Sequence, residues 1–151
     1  MYNACINSIC AATRLDTGRL QQTGSVLEGL VIPAMDEIVA AARASGVHLP
    51  PKITEEVISH LEPVEMHFAP SMLVDVQKVC EGSPSLQIYH SDLMIEGNYL
   101  EFENLVGEPL RMGTALGVNM PTLQVVYQIL KALQWQTKEV RKSGTRSPVA
   151  S

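Results

Sequence analysis

Glycine loops, clustered cysteines, long apolar runs and a basic surface are all missing from this 151-residue chain, and each absence removes a class of function. The ten glycines include no two separated by a single residue, so a Gly-x-Gly-x-x-Gly dinucleotide loop is excluded, and no Gly-x-x-x-x-Gly-Lys-Ser/Thr phosphate loop occurs either. A nucleotide cofactor would have to be held mostly by something else. The three cysteines, Cys5, Cys10 and Cys80, are odd in number and unclustered. They suit free thiols in a reducing, cytoplasmic compartment rather than a disulfide framework. No His/Cys group has metal-ligand spacing, so no metal is expected. No run of about 18 apolar residues is available to span a membrane, and no basic residue precedes Arg14 to start a signal peptide. Charged residues make up only 18%, with net charge −5, and four of the eleven basic ones (Lys138, Arg141, Lys142, Arg146) fall in the last fourteen positions. Nucleic acid, which demands a basic face, is therefore not an expected partner.

What is present is enough apolar residue, 46%, to build the core of one ordinary domain. The pattern is helical throughout. From Met1 to about Leu15, Asn3, Asn7, Cys10 and Arg14 recur at three- and four-residue steps and would share a helix face, with Asp16-Thr17-Gly18 as the stop. Ser25-Val26-Leu27-Glu28 reads as a capping box before Leu27, Leu30, Val31, Ala34 and Ile38, with Pro33 forcing a kink or restart and Gly46 closing the helix. Thr54 is expected to cap a short helix to about Leu61 that carries Glu55 and Glu56 in its first turn. Pro70-Ser71 opens another, with Leu73, Val76 and Val79 inside. Residues 81–99 read as an irregular surface excursion with alternation over Leu86 to Tyr89. Helical spacing returns from Leu100 to Leu116, with Pro109 in the first turn of a new helix and Gly117 at its end. Pro121 starts the longest run, to about Arg141, with Leu123, Val126, Leu130 and Leu133 as its stripe, widened by Ile129 and Trp135. The expected fold is all-α, a helical bundle over residues 1–141 with a disordered tail at 142–151.

Three polar features stand where an inner face or groove is expected: the pair Asn3 and Asn7, Ser71 with Asp75 four residues on, and Glu101. An amide pair, a hydroxyl and a carboxylate would cradle a small hydroxy or keto acid. Each also has a structural reading. The asparagines would serve as helix–helix glue, Ser71 as a plain N-cap, Asp75 as a first-turn acid and Glu101 as a solvated one. His48, His60, His67 and His90 read as surface residues, and Met72, Met94, Met112 and Met120 as core filler. Spacing by itself leaves these alternatives open.

Four stretches in order resemble the C-terminal, substrate-binding domain of ketopantoate reductase (2-dehydropantoate 2-reductase). They are Asn3-Ala4-Cys5-Ile6-Asn7 with Gly18 and Leu20, the segment Glu37 to Gly46, Pro70-Ser71-Met72-Leu73-Val74-Asp75, and Glu101-Phe102-Glu103 through Gly107 followed by Leu116-Gly117-Val118 and Met120-Pro121-Thr122. The likeness covers about residues 1 to 137. It implies the helical bundle shared with the C-terminal domain of 6-phosphogluconate dehydrogenase. It also implies an enzyme that transfers hydride from NADPH to ketopantoate, giving pantoate for pantothenate and coenzyme A synthesis. Asn3 and Asn7 would position the substrate's oxygens, Ser71 would bind its carboxylate, Glu101 would contact substrate or nicotinamide, and Asp75 would orient the Ser71 helix. The family lysine that polarises the ketone would lie two residues before Met1, so apart from Glu101 no catalytic residue is expected in this chain. The Rossmann domain that holds most of the NADPH is likewise absent from these residues. Roughly eighteen additional residues near 81–99 precede Glu101, an insertion whose closure cost is small.

The resulting expectation is the C-terminal half of such a reductase, beginning at an internal methionine and inactive alone. Its partners would be a small 2-keto or 2-hydroxy acid and the missing Rossmann domain or a partner reductase, with an apolar docking patch that favours self-association, a homodimer included. Two other readings stay open. The chain would be a stand-alone, non-catalytic dimerisation or regulatory module, or part of a reductase of another 2-keto acid.

Overall fold

Apolar residues at helical spacing close into seven α-helices among the described residues, 1–80 and 101–144, of this computed structural model. These are α1 (Ser8–Thr13), α2 (Thr17–Gln22), α3 (Ile32–Ala44), α4 (Ile53–Ser59), α5 (Ser71–Cys80), α6 (Glu108–Ala115) and α7 (Pro121–Gly144). Wider π turns lead into three of them, at Asn3–Asn7, Leu27–Val31 and Glu103–Gly107. The described residues contain no strand, so the fold is all-α as expected.

Helix α1 runs through the middle and packs on α5 and α7, while α3 packs on α6 and α7. Ile6, Ile9, Cys10 and Ala11 are completely or almost completely out of solvent, joined by Val31, Met35, Leu73, Val106, Leu123 and Leu130. Burying one such aliphatic side chain is worth about 1.5–3 kcal/mol. Gly113 lets α6 approach α3, because a Cβ there would stand 2.9 Å from Ala41 Cβ.

Two of the π turns have a visible cause. Pro33 and Pro109 each sit in the first turn of the following helix. A proline there supplies no amide and crowds the carbonyl one turn back. The chain responds by widening: the Ile32 amide donates to the Leu27 carbonyl and the Glu108 amide to the Glu103 carbonyl, each five residues back. The expected kink at Pro33 is realised in this way. Gly46 (φ 87°) and Gly117 (φ 75°) end α3 and α6 in the left-handed region. The Val47 amide then reaches the Ala42 carbonyl and the Val118 amide the Gly113 carbonyl, closing each helix end.

Several expectations are corrected. The first helix stops at Arg14, which takes φ 60°, and Asp16 starts α2 by accepting the Arg19 amide at 2.7 Å, with Gly18 inside α2. The Ser25 capping box does not form: the Glu28 amide bonds to the Gly24 carbonyl, and the Ser25 hydroxyl donates to the Thr23 carbonyl. Thr54 is inside α4 rather than at its cap, and its hydroxyl donates to Asp36 Oδ1 at 2.7 Å, tying α4 to α3. Met112 is exposed rather than core filler. On α7 the inward stripe continues through Gln134 and Thr137, both about 95% buried, whereas Ile129 and Trp135 are 42% and 63% exposed. At about 100° per residue, Trp135 falls nearly opposite the stripe. Helix α7 reaches Gly144, past Arg141. The irregular excursion at 81–99, with His90, Met94 and the alternating Leu86 to Tyr89, lies outside the described residues, as does 145–151.

Candidate functional site

The π turn Asn3–Asn7 places its two asparagines differently. Asn3 is exposed, whereas Asn7 is 7% exposed and follows the buried Ala4, Cys5 and Ile6. The expected common face of Asn3, Asn7, Cys10 and Arg14 therefore breaks up, because the π turn and the left-handed Arg14 shift the register at both ends. Asn7 points at the start of α5, and its Nδ2 donates to Ser71 Oγ at 3.5 Å. Its carbonyl oxygen, Oδ1, is buried with no hydrogen-bond partner, as is the hydroxyl of Ser8. Leaving such a group unpaired costs about 1–3 kcal/mol, so Asn7 Oδ1 is a ready acceptor. Ser71 itself is exposed at the mouth of this junction.

Glu101 lies two residues before the π turn Glu103–Gly107, which packs directly on the turn Asn3–Asn7. It is exposed, and its carbonyl takes the Leu105 amide at 3.1 Å. The structure thus brings Asn7 and Ser71 into contact, places Asn3 on the same turn, and sets Glu101 beside the neighbouring turn. Asp75 is half-buried one turn along α5 from Ser71. Two grooves, of about 520 Å³ between α6 and α7 and about 260 Å³ between α3 and α4, are lined by none of these residues. At the Asn7–Ser71 junction Ser71 is the exposed partner and Asn7 the buried one.

Three residues outside the expected set shape the neighbourhood. Glu103 Oε1 accepts from the Tyr127 hydroxyl at 3.0 Å and Oε2 from Arg111 Nη1 at 3.1 Å. Lost hydration pulls the Glu103 carboxyl upward, but the bonds from Arg111 and Tyr127 outweigh it and hold it below its ordinary value. The same bond to Glu103 raises the Tyr127 phenol. Farther off, Glu37 spans from α3 to the start of α7, accepting the Thr122 and Leu123 amides at 2.9 and 2.8 Å. No sequence signal singles out Glu37 for this role, since Met120 ahead of Pro121 shows only that α7 lacks a local side-chain cap. None marks Arg111 or Tyr127 either.

Cys5 and Cys10 are free and buried, and burial pushes both thiols up to about 12, which leaves them unreactive as nucleophiles. Among the described residues no group of three or more His, Cys, Asp or Glu side chains could hold a metal, and no helix is long and apolar enough to cross a membrane.

Set beside known proteins, residues 1–80 and 89–134 match the family model for the ketopantoate reductase PanE/ApbA C terminal. The chain is 32% identical over 145 residues to the uncharacterized protein YDL144C of Saccharomyces cerevisiae, covering 92% of this chain and 35% of that protein. Its fold is similar to the crystal structure of 2-dehydropantoate 2-reductase from Methylococcus capsulatus, with TM-score 0.68 and 27% identity over 99% of this chain and 42% of that one. The chain therefore spans well under half the length of these relatives.

Proposed function

The chain belongs to the ketopantoate reductase C-terminal domain family, and on that premise we propose that it is the substrate-binding part of an NADPH-dependent reductase of ketopantoate or a related small 2-keto acid. The observation that carries the reading is the Asn7–Ser71 contact, with a buried, unpaired Asn7 Oδ1 at its back. Ketopantoate carries a carboxylate, a ketone and a hydroxyl. The Ser71 hydroxyl donates to the carboxylate, the Asn7 amide donates to an oxygen of the keto acid, and Asn7 Oδ1 accepts from the hydroxyl. Asn3 and Glu101 complete the rim of the site. Donors fixed before the reaction favour the negative charge that develops on the ketone oxygen.

The reduced nicotinamide supplies the hydride. These residues contain no glycine loop to hold its phosphates, so in this reading a Rossmann domain outside them does so and covers the exposed Ser71 side of the junction. The proton donor is also placed outside them. The product pantoate feeds pantothenate synthesis, and the free thiols Cys5 and Cys10 favour a cytoplasmic setting.

The test is steady-state NADPH oxidation with ketopantoate by the reductase that contains this chain. Asn7→Ala and Ser71→Ala should each lower kcat/KM about tenfold or more, the equivalent of ~1.4 kcal/mol of lost transition-state binding. Unchanged kinetics in both variants would remove the pair from the site.

A further inference from the structure

We propose that Glu103, Arg111 and Tyr127 form a clamp that sets the register of the π turn Glu103–Gly107 and thereby positions the Asn3–Asn7 turn for acid binding. The inference rests on the reading of Asn7 and Ser71 as a substrate-binding pair and assigns positioning roles to three residues that do not touch substrate.

The geometry converges on one residue. Glu103 opens the π turn, and its backbone carbonyl takes the Glu108 amide in the five-residue hydrogen bond that makes the turn wide. Arg111 Nη2 reaches that same carbonyl at 3.3 Å, while its Nη1 holds the Glu103 carboxylate at 3.1 Å. One guanidinium therefore grips both ends of Glu103. Tyr127, from α7, takes the other carboxylate oxygen at 3.0 Å and rests its ring 5.4 Å from that of the buried Phe102, the residue just ahead of the turn. Glu108 steadies Arg111 from the next helical turn at 3.2 Å.

Gly107 makes room for this closure. A Cβ at Gly107 would stand 3.0 Å from both Arg111 Nη1 and Glu103 Oε2, and 3.2 Å from Tyr127 Cε2. A side chain there would push the three clamp groups outward by a few tenths of an ångström. On its other side the turn presses Val106 into the core and packs against Asn3–Asn7. A change of one residue in its register would move the surface against which the Asn3–Asn7 turn packs and the position of Glu101 two residues upstream. A bidentate fork is required, because a lysine carries the charge but cannot bridge carboxylate and carbonyl at once.

The experiment compares the reductase that contains this chain with its Arg111→Lys, Tyr127→Phe and Gly107→Ala variants by two readouts. Nuclear magnetic resonance follows the Asn7 side-chain amide and the exchange rate of the Glu108 amide, and calorimetric titration follows pantoate. Arg111→Lys and Gly107→Ala should shift the Asn7 resonances, speed Glu108 exchange and weaken pantoate binding about fivefold, with Tyr127→Phe smaller in the same direction. In Gly107→Ala the helix propensity gained offsets part of the crowding at the clamp, so its unfolding temperature should fall less than its pantoate affinity. A general loss of structure would move the unfolding temperature in step with affinity. Asn7 and Glu108 signals that stay in place in all three variants overturn the clamp. Wild-type reductase that ignores pantoate overturns the substrate reading instead, while the Asn7 and Glu108 signals still decide whether the clamp sets the register.

Discussion

Asp16 shows how much one side chain organises when its neighbours arrive from several places. It caps α2 through the Arg19 amide, pairs with the Arg19 guanidinium at 2.6 Å, and faces His67 Nδ1 at 3.3 Å from the segment that leads into α5. Burial pulls its carboxyl upward, but the Arg19 amide, His67 and the Arg19 charge together hold it below the ordinary 3.8. A carboxyl lowered by folding contributes stability that is complete above its unfolded value and is lost as pH falls through the folded value. Unfolding in urea should therefore show stability declining on acidification below about pH 4, with Glu103 adding to the same limb from its ordinary 4.5. Asp16→Asn keeps a good cap but removes the charge, so its acid limb should be shallower than the wild type's. Equal slopes would deny Asp16 this role. At this scale the sequence was partly legible. Asn7, Ser71 and Glu101 are visible as polar residues in apolar settings, but Arg111 and Tyr127 are ordinary helix residues until tertiary packing brings Glu103 between them.

Helix boundaries depend on where the backbone groups at each end find partners. Gly46 and Gly117 close α3 and α6 as read from the sequence, because a residue with a left-handed φ and a following turn is a local device. The start of α7 is not local. Its first amides are taken by the Glu37 carboxylate from α3, 85 and 86 positions away in sequence. Glu37→Ala should therefore destabilise the chain by about 1–2 kcal/mol, the usual cost of losing a cap, and Glu37→Gln by less, since one acceptor remains. Equilibrium unfolding measures both, and a Glu37→Ala chain as stable as wild type would mean that α7 needs no distant cap. The same distinction explains the corrections at Ser25 and Thr54. Each lies in a capping pattern, but the first amides of one helix go to Gly24, and the hydroxyl of Thr54 goes across to Asp36. The phase error on α7 has another source. Ile129 and Trp135 are apolar and their neighbours Gln134 and Thr137 are polar, so hydropathy alone points the wrong way there.

Across the whole molecule, α1 is the element that the others surround, packed by α5 and α7. Ile9 on α1 is wholly buried while Ile129 on α7 is 42% exposed. Ile9→Ala should cost about 2–5 kcal/mol, against about 0.5 kcal/mol or less for Ile129→Ala, both read from urea midpoints at constant slope. Comparable losses would mean that α7 buries its outer face in this chain. The amino-acid sequence by itself determined the all-α class, the number and order of most helices, both proline-linked restarts and the family resemblance. These rest on periodicity, on glycine and proline stereochemistry and on short ordered motifs, all properties of neighbouring residues. Only the tertiary structure decided that Asn7 is buried against Ser71 while Asn3 faces solvent. It likewise decided that Glu37 caps a distant helix, that a guanidinium and a phenol grip Glu103, and that Trp135 faces outward. Each of those depends on which surfaces meet when helices far apart in sequence pack to bury apolar area, and no local pattern encodes that choice.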